Sequence, residues 1–431
     1  MIFPLLSTAV LLLLLEPFLA YLWDSKKLRR FPNATPFSAY EKHSTIRIGP
    51  NTLSFCSPSA IRSIYGHSTP CTKGGSYEAT LGPHPGLIDV VDKELHASKR
   101  RILSNAFATR NLEGWCFKVA DKVRQFVIQF DRISHGGVDG TTVPGSVDFR
   151  KWANLFSVEA IADIAISRRL GCLERGDDLV TFTTVHGAKK QTRFVHTLHS
   201  ARRATSFIVW STRYQLLKAG LETIPGFFKS QTVEGEVFPE IIASLLHERV
   251  ERYKAGEDLD DLARCLLEDK GGRSRDVTEA QIEGDRMPGP RERPLHSHTS
   301  CVFLPRTPFV LEALRDEVAA NVVFDKGGVA TYESVKNLRY LRACLDESLR
   351  LLPPVSTGLH RLTPPNGLTI DGHWIPEKTI AVVPIYTAHR NSDLFPEAAA
   401  FRPERRLENS AKDAQASFIP FSAGTPLLHQ A

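Results

Sequence analysis

Tyr340-Leu341-Arg342-Ala343-Cys344-Leu345-Asp346-Glu347-Ser348-Leu349-Arg350 is the stretch whose reading decides the fold. Leu338, Leu341, Leu345, Leu349 and Leu352 fall on one face at helical spacing, so the segment predicts an amphipathic helix. Pro353-Pro354 then closes it, because proline removes an amide donor and restricts the residue before it. Glu347 and Arg350, three positions apart, meet on the same face and can pair. That spacing alone is weak, since it recurs at Glu283/Arg286 and Glu312/Arg315, which read as solvated surface pairs.

The setting of Glu347 and Arg350 separates them from the other two pairs. Downstream come 368–370 and 373–375 around Asp371-Gly372, a type I′ hairpin pattern, and then the β-branched run 379–385. His389-Arg390-Asn391 follows, and after it Phe401-Arg402-Pro403-Glu404-Arg405. A later arginine joining the helix pair would form a buried three-member network, tolerable only if every member is paired. Upstream, 91–318 is dominated by helical periodicity, as in Leu155, Val158, Ile161, Ala162 and Ala165. Residues 241–254 and 259–267 read as further helices, and 309–322 as another. Residues 45–48 and 52–55 alternate around Gly49-Pro50-Asn51 as a short hairpin, whereas 71–85 reads as loop. The expected class is mainly α with a small β portion.

In this order the motifs resemble the cytochrome P450 (haem-thiolate monooxygenase) family. Residues 340–350 look like its K helix and 401–405 like its later Pro-Glu-Arg element, where the family usually has an aromatic residue in place of Arg406. The resemblance places the family's structural triad on Glu347, Arg350 and Arg405. It also makes His96-Ala97-Ser98-Lys99-Arg100 similar to the pattern whose first and last members hold a haem propionate, with Arg361 as a further propionate ligand. The implied protein has a P450-like fold and uses haem, O2 and electrons from an NADPH-dependent reductase. It inserts oxygen into a small lipophilic substrate, similar to those of fungal secondary metabolism.

Two larger departures qualify that expectation, beside a smaller one, the short connection between Phe31-Pro32 and the Gly49-Pro50 hairpin. Phe418-Ile419-Pro420-Phe421-Ser422-Ala423-Gly424 looks like the start of the haem-binding loop, but continued in register the ligating cysteine falls on Leu428. Leucine has no donor for iron, and thiolate donation is what favours O–O cleavage. The second departure is the tract 286–308, with Pro288, Pro290, Pro294, Pro305 and Pro308, which interrupts the region similar to the family's I helix. His296, His298 and Cys301 within it have no standard zinc spacing, and His429 would give globin-like ligation rather than the family's. The expectation is therefore an incomplete P450-like fold, truncated before its cysteine or read from a disrupted frame. Its alternative function is a catalytically inactive, membrane-anchored helical remnant.

The N-terminus carries an address. Residues 2–15 are apolar or small, and 18–23 are apolar again, together approaching the roughly 20 residues that a spanning helix needs. Lys26, Lys27, Arg29 and Arg30 follow with no Lys or Arg before them, which holds the body on the cytoplasmic side. A cleaved signal peptide fits less well, lacking a charged leading region. The expected organisation is an endoplasmic-reticulum anchor over 1–23, a linker over 24–44 and a catalytic domain over 45–431. Seven scattered cysteines without a Cys-x-x-Cys suit a reducing compartment. A net charge of +6 is too mild for a nucleic-acid partner and suits an anionic membrane or an acidic protein.

Overall fold

The computed structural model describes residues 11–12, 15–16, 18–34, 44–74, 77, 86–87, 89–136, 147–184, 186–208, 214–223, 226–268, 273–274, 302–408 and 412–423. The strands β1 (Thr45–Gly49) and β2 (Thr52–Phe55) form the expected antiparallel hairpin. Next come α1 (Pro58–Tyr65) and β3 (Thr72–Lys73), so the stretch read as loop over 71–85 supplies a strand. The helices α2 (Lys93–Ala106), α3 (Cys116–Gly136) and α4 (Phe149–Ile166) follow. A second hairpin, β4 (Leu179–Thr183) and β5 (Lys189–Arg193), leads into α5 (Phe194–Ile208), α6 (Phe227–Lys254) and α7 (Leu262–Leu267).

Residues 286–301 of the Pro-rich tract lie outside the described residues. Its tail is helical, with a 3-10 turn over Leu304–Arg306 running into α8 (Pro308–Asn321). Pro305 and Pro308 occupy first-turn positions, where a missing N–H costs nothing. The decisive stretch forms α9 (Arg339–Leu351), followed by β6 (Arg361–Leu362), β7 (Leu368–Ile370), β8 (His373–Ile375) and β9 (Ile380–Val382). The β7–β8 turn has Asp371 at φ 50° and Gly372 at φ 77°, as a type I′ turn requires. The run over 379–385 is strand only as far as Val382, because Pro384 caps a short helix over Ile385–Ala388.

One five-stranded sheet has the order β1-β2-β9-β6-β3, in which β2 and β9 are parallel and the other pairs antiparallel. Its apolar side buries Leu53, Phe55, Ile61, Ile64, Ile370 and Ile375. A separate helical core packs Trp152, Leu155 and Val158 of α4 against Ile241 and Leu245 of α6, with Phe182 of β4 sealing one end. Gly358 lies at the seam between α9 and the sheet. Its φ is 81° and a Cβ would come within 2.0 Å of the Val383 carbonyl oxygen, so only glycine fits. The architecture is mainly helical with a small β portion and is P450-like.

Candidate functional site

The site's framework is built on α9. Glu347 and Arg350 are fully buried and Arg405 nearly so. Glu347 Oε2 accepts from Arg350 Nε at 2.9 Å; Oε1 accepts from Arg350 Nη2 and from Arg405 Nε, both at 2.8 Å. The arginines spend their remaining donors on loop carbonyls. Arg350 reaches His389, Ala398 and Ala400, and Arg405 reaches Pro396 and Glu397. A single carboxylate thus staples the whole 389–405 loop to α9. Burial of such charges is tolerable because the carboxylate and both guanidinium groups are each held by several hydrogen bonds.

The triad connects to residue 418, where the sequence suggests a haem loop begins. His389 is buried, with Nδ1 3.2 Å from the Arg350 carbonyl oxygen and Nε2 accepting from the Ile419 amide at 2.9 Å. Those partners fix the Nδ1–H tautomer. Burial drives its pKa down to about 3. Phe418 is stacked between the His389 ring, at 5.4 Å between centroids, and the Arg406 guanidinium, 3.8 Å from the ring centroid. Arg406, which stands where the family usually has an aromatic residue, leaves Nε and Nη2 buried without a hydrogen bond.

A second constellation lies where β3, α2 and β6 converge. The pKa of His96 falls to about 4, first through burial and then through the charges of Lys73, Arg100 and Arg361. The Arg361 guanidinium lies over the rings of Tyr65 (5.4 Å) and Tyr77 (5.9 Å), and the Lys73 ammonium lies 5.7 Å from the Tyr77 ring. β3 and β6 are paired through Lys73 and Arg361 themselves. Tyr65 Oη donates to the Leu359 carbonyl at 2.7 Å and accepts from the Leu359 and Val383 amides, so the aromatic floor is fixed. Sequence reasoning placed His96, Arg100 and Arg361 but missed Lys73. Lys73 sits in a Gly/Ser/Thr-rich stretch, and only the pairing of β3 with β6 brings it in.

Such a cluster of cations over aromatic rings is chemically fitted to carboxylates, and haem carries two. The donor set at this end therefore fits haem propionates. The iron-ligand end does not: Leu428, in register with the family cysteine, lies outside the described residues and has no donor atom. The described cysteines (56, 71, 116, 172, 265 and 344) are outside any disulfide. Burial pushes the Cys172 and Cys344 thiols up to about 12, which disfavours the thiolate. No group of three His, Cys, Asp or Glu among the described residues could hold a metal. His296, His298 and Cys301 lie outside them.

The structure therefore combines a helical body, a small mixed sheet, a buried Glu–Arg–Arg staple and a cationic cluster at Lys73, His96, Arg100 and Arg361. The family model for cytochrome P450 matches residues 298–425, which hold the triad and Arg361. A cytochrome P450 monooxygenase of Fusarium pseudograminearum is 31% identical over 391 residues, covering 88% of this chain and 64% of the relative. The benzoate 4-monooxygenase of Aspergillus niger is 27% identical, covering 90% of this chain and 76% of the relative. A monooxygenase of Hormonema carpetanum is 26% identical, covering 95% and 77%. The chain is thus similar to cytochrome P450 monooxygenases along most of its length, and its residues 298–425 match that family's model. It spans slightly less than two thirds of the Fusarium relative's length.

Proposed function

We propose that this protein is a haem-dependent monooxygenase-family enzyme acting on a small lipophilic substrate of secondary metabolism. It would draw electrons from an NADPH-dependent reductase and be anchored on the endoplasmic reticulum with its body in the cytoplasm. One observation carries the reading: Arg361 lies over Tyr65 and Tyr77 and Lys73 over Tyr77, and both, with Arg100, set their positive charge against His96. These side chains would grip the propionates, and Glu347, Arg350 and Arg405 would keep the surrounding loop in place. Bound haem would supply oxygen activation.

Membrane attachment is supported by the exposure of Leu19 (59%) and Trp23 (84%) on the helical residues 18–23, which water would not tolerate cheaply. Among the described residues no helix is long and apolar enough to cross a membrane, and much of the anchor read over 1–23 lies outside them.

Leu428 favours a second reading, an inactive family member that binds apolar ligands without oxygen chemistry. Haem titration into the purified protein, followed by the reduced, CO-bound absorption spectrum, separates the two. A thiolate-type Soret band supports the enzyme, and haem uptake without that band supports the second reading. Weaker porphyrin retention in H96A and R361A locates the propionates, and unchanged retention refutes that placement.

A further inference from the structure

Residues 24–33 follow the apolar helical residues 18–23, and their polarity reads as that of a flexible tether. Their contacts are those of a bracket. Asp24 accepts from the Leu28 and Arg29 amides at 2.8 and 3.0 Å, and pairs with Arg47 at 3.2 Å. Arg47, on the edge strand β1, is 1% exposed. Its guanidinium lies 4.1 Å from the Tyr21 ring centroid and donates to the Tyr21 and Pro50 carbonyls. One buried charge therefore holds both the last turn of the apolar helix and the turn that leaves it.

The following residues seat on the sheet and on the β7–β8 hairpin. Leu28 and Phe31 are buried in the sheet core, with Phe31 edge-on to His373 at 5.5 Å. Lys26 donates to the Glu377 and Lys378 carbonyls at 2.7 and 2.6 Å, and Arg30 donates to the Trp374 carbonyl. The Arg47 amide donates to the Pro32 carbonyl at 2.7 Å, and Ala34 donates back to Arg47. Asp24 (φ 47°) and Lys27 (φ 53°) are both non-glycine residues in the left-handed region. Such conformations persist where surrounding contacts over-determine them.

The bracket fixes what stands beside the helix end. Three positions after Trp23, Lys26 reaches the turn after β8; seven positions after it, Arg30 reaches Trp374 itself. Trp374 is 54% exposed, its ring lying across Gly367, where a Cβ would come within 2.8 Å. Lys27 and Arg29 are exposed on the same segment. Tryptophan with flanking cations is the chemistry of a lipid headgroup layer, apolar ring inward and charge toward phosphate.

We propose that residues 24–33 form a rigid bracket that sets the body's orientation, and that Trp374 on the β7–β8 hairpin is held against an anionic lipid surface. The inference rests on the membrane reading above and adds to it a fixed contact outside the anchor. The full chain is mixed with vesicles of phosphatidylcholine and phosphatidylglycerol whose acyl chains carry bromine. Flotation reads attachment, and the difference in tryptophan quenching between wild type and W374F reads the depth of Trp374. The expected result is co-flotation of both proteins, with a quenched component that W374F lacks. D24A and K26A, each compared with its own W374F double variant, are expected to float and to lose that component. Emission from the buried Trp115 and Trp152 checks that each variant is folded.

Flotation without a Trp374 component overturns the contact surface and leaves the anchor standing. Absence of flotation overturns both. Retention of the Trp374 component in folded D24A and K26A overturns the bracket.

Discussion

Glu347 balances the buried guanidinium groups of Arg350 and Arg405 with short hydrogen bonds, while Arg406 Nε lies 3.8 Å from its Oε2. One negative charge thus faces three positive ones. Removing the negative partner from such a network strands the others, at a cost of about 3–5 kcal/mol. E347Q is therefore expected to lower unfolding free energy by that amount in urea denaturation. A loss below about 1 kcal/mol, typical of an exposed pair, would contradict the structural role. Arg406 has the opposite sign. Its stacking on Phe418 is worth about 0.5–2 kcal/mol, whereas each of its two buried, unsatisfied donors costs about 1–3. Burial also holds its pKa below the ordinary range. R406F keeps a ring against Phe418 and removes both donors, so a gain of about 1 kcal/mol is expected. A lower urea midpoint in R406F would show that the guanidinium is a net stabiliser.

At the scale of elements, α9 begins without a cap of its own, since Leu338 has no side-chain acceptor. The carboxylate of Glu317 on α8 takes that place, accepting from the Tyr340 and Leu341 amides at 2.8 Å each. A carboxylate there satisfies two orphan donors and opposes the positive helix end. E317A is expected to cost about 1–2 kcal/mol and to raise hydrogen exchange at the first turn of α9. Exchange unchanged there would mean that the cap is dispensable.

This contact also shows why some of the architecture could be read in the sequence and some could not. The apolar face of α9, its proline stop and the Asp371-Gly372 turn are encoded within a few neighbouring residues. Glu317 capping Tyr340, Lys26 reaching Glu377, and Lys73 meeting Arg361 join residues far apart in the chain, and no local pattern announces them. The β4–β5 hairpin escaped for another reason. Lys189–Arg193 is wholly polar, and the pair is sealed chiefly by Val180 and Phe182 from one side. Proline content misled at 302–308, because it warns against helix interiors without saying which turn of the helix it occupies.

For the whole molecule, the buried titratable groups define a window of stability in pH. His389 has its pKa driven from 6.5 to about 3, and His96 from 6.5 to about 4. In the unfolded chain both take up a proton near pH 6.5, while the folded protein refuses it, so stability is lost as pH falls below 6.5. For His389, fully buried, the slope approaches about 1.4 kcal/mol per pH unit. Carboxylates with lowered pKa, such as Asp121 and Asp325, have ordinary values of 3.8 and join only at more acid pH. On the alkaline side, burial raises Cys172 and Cys344 from 9.0 to about 12, and Tyr65 from 10.0 to about 12. The unfolded chain loses those protons first, so stability falls as pH rises above 9. Urea midpoints measured across pH are therefore expected to be flat between about 6.5 and 9 and to decline on either side. H389Q, although less stable throughout, should show a shallower acid limb between pH 6.5 and 5, where carboxylates contribute least. An acid slope in H389Q equal to that of wild type would mean that the proton is taken up elsewhere, and that the Arg350–His389–Ile419 connection does not govern acid unfolding.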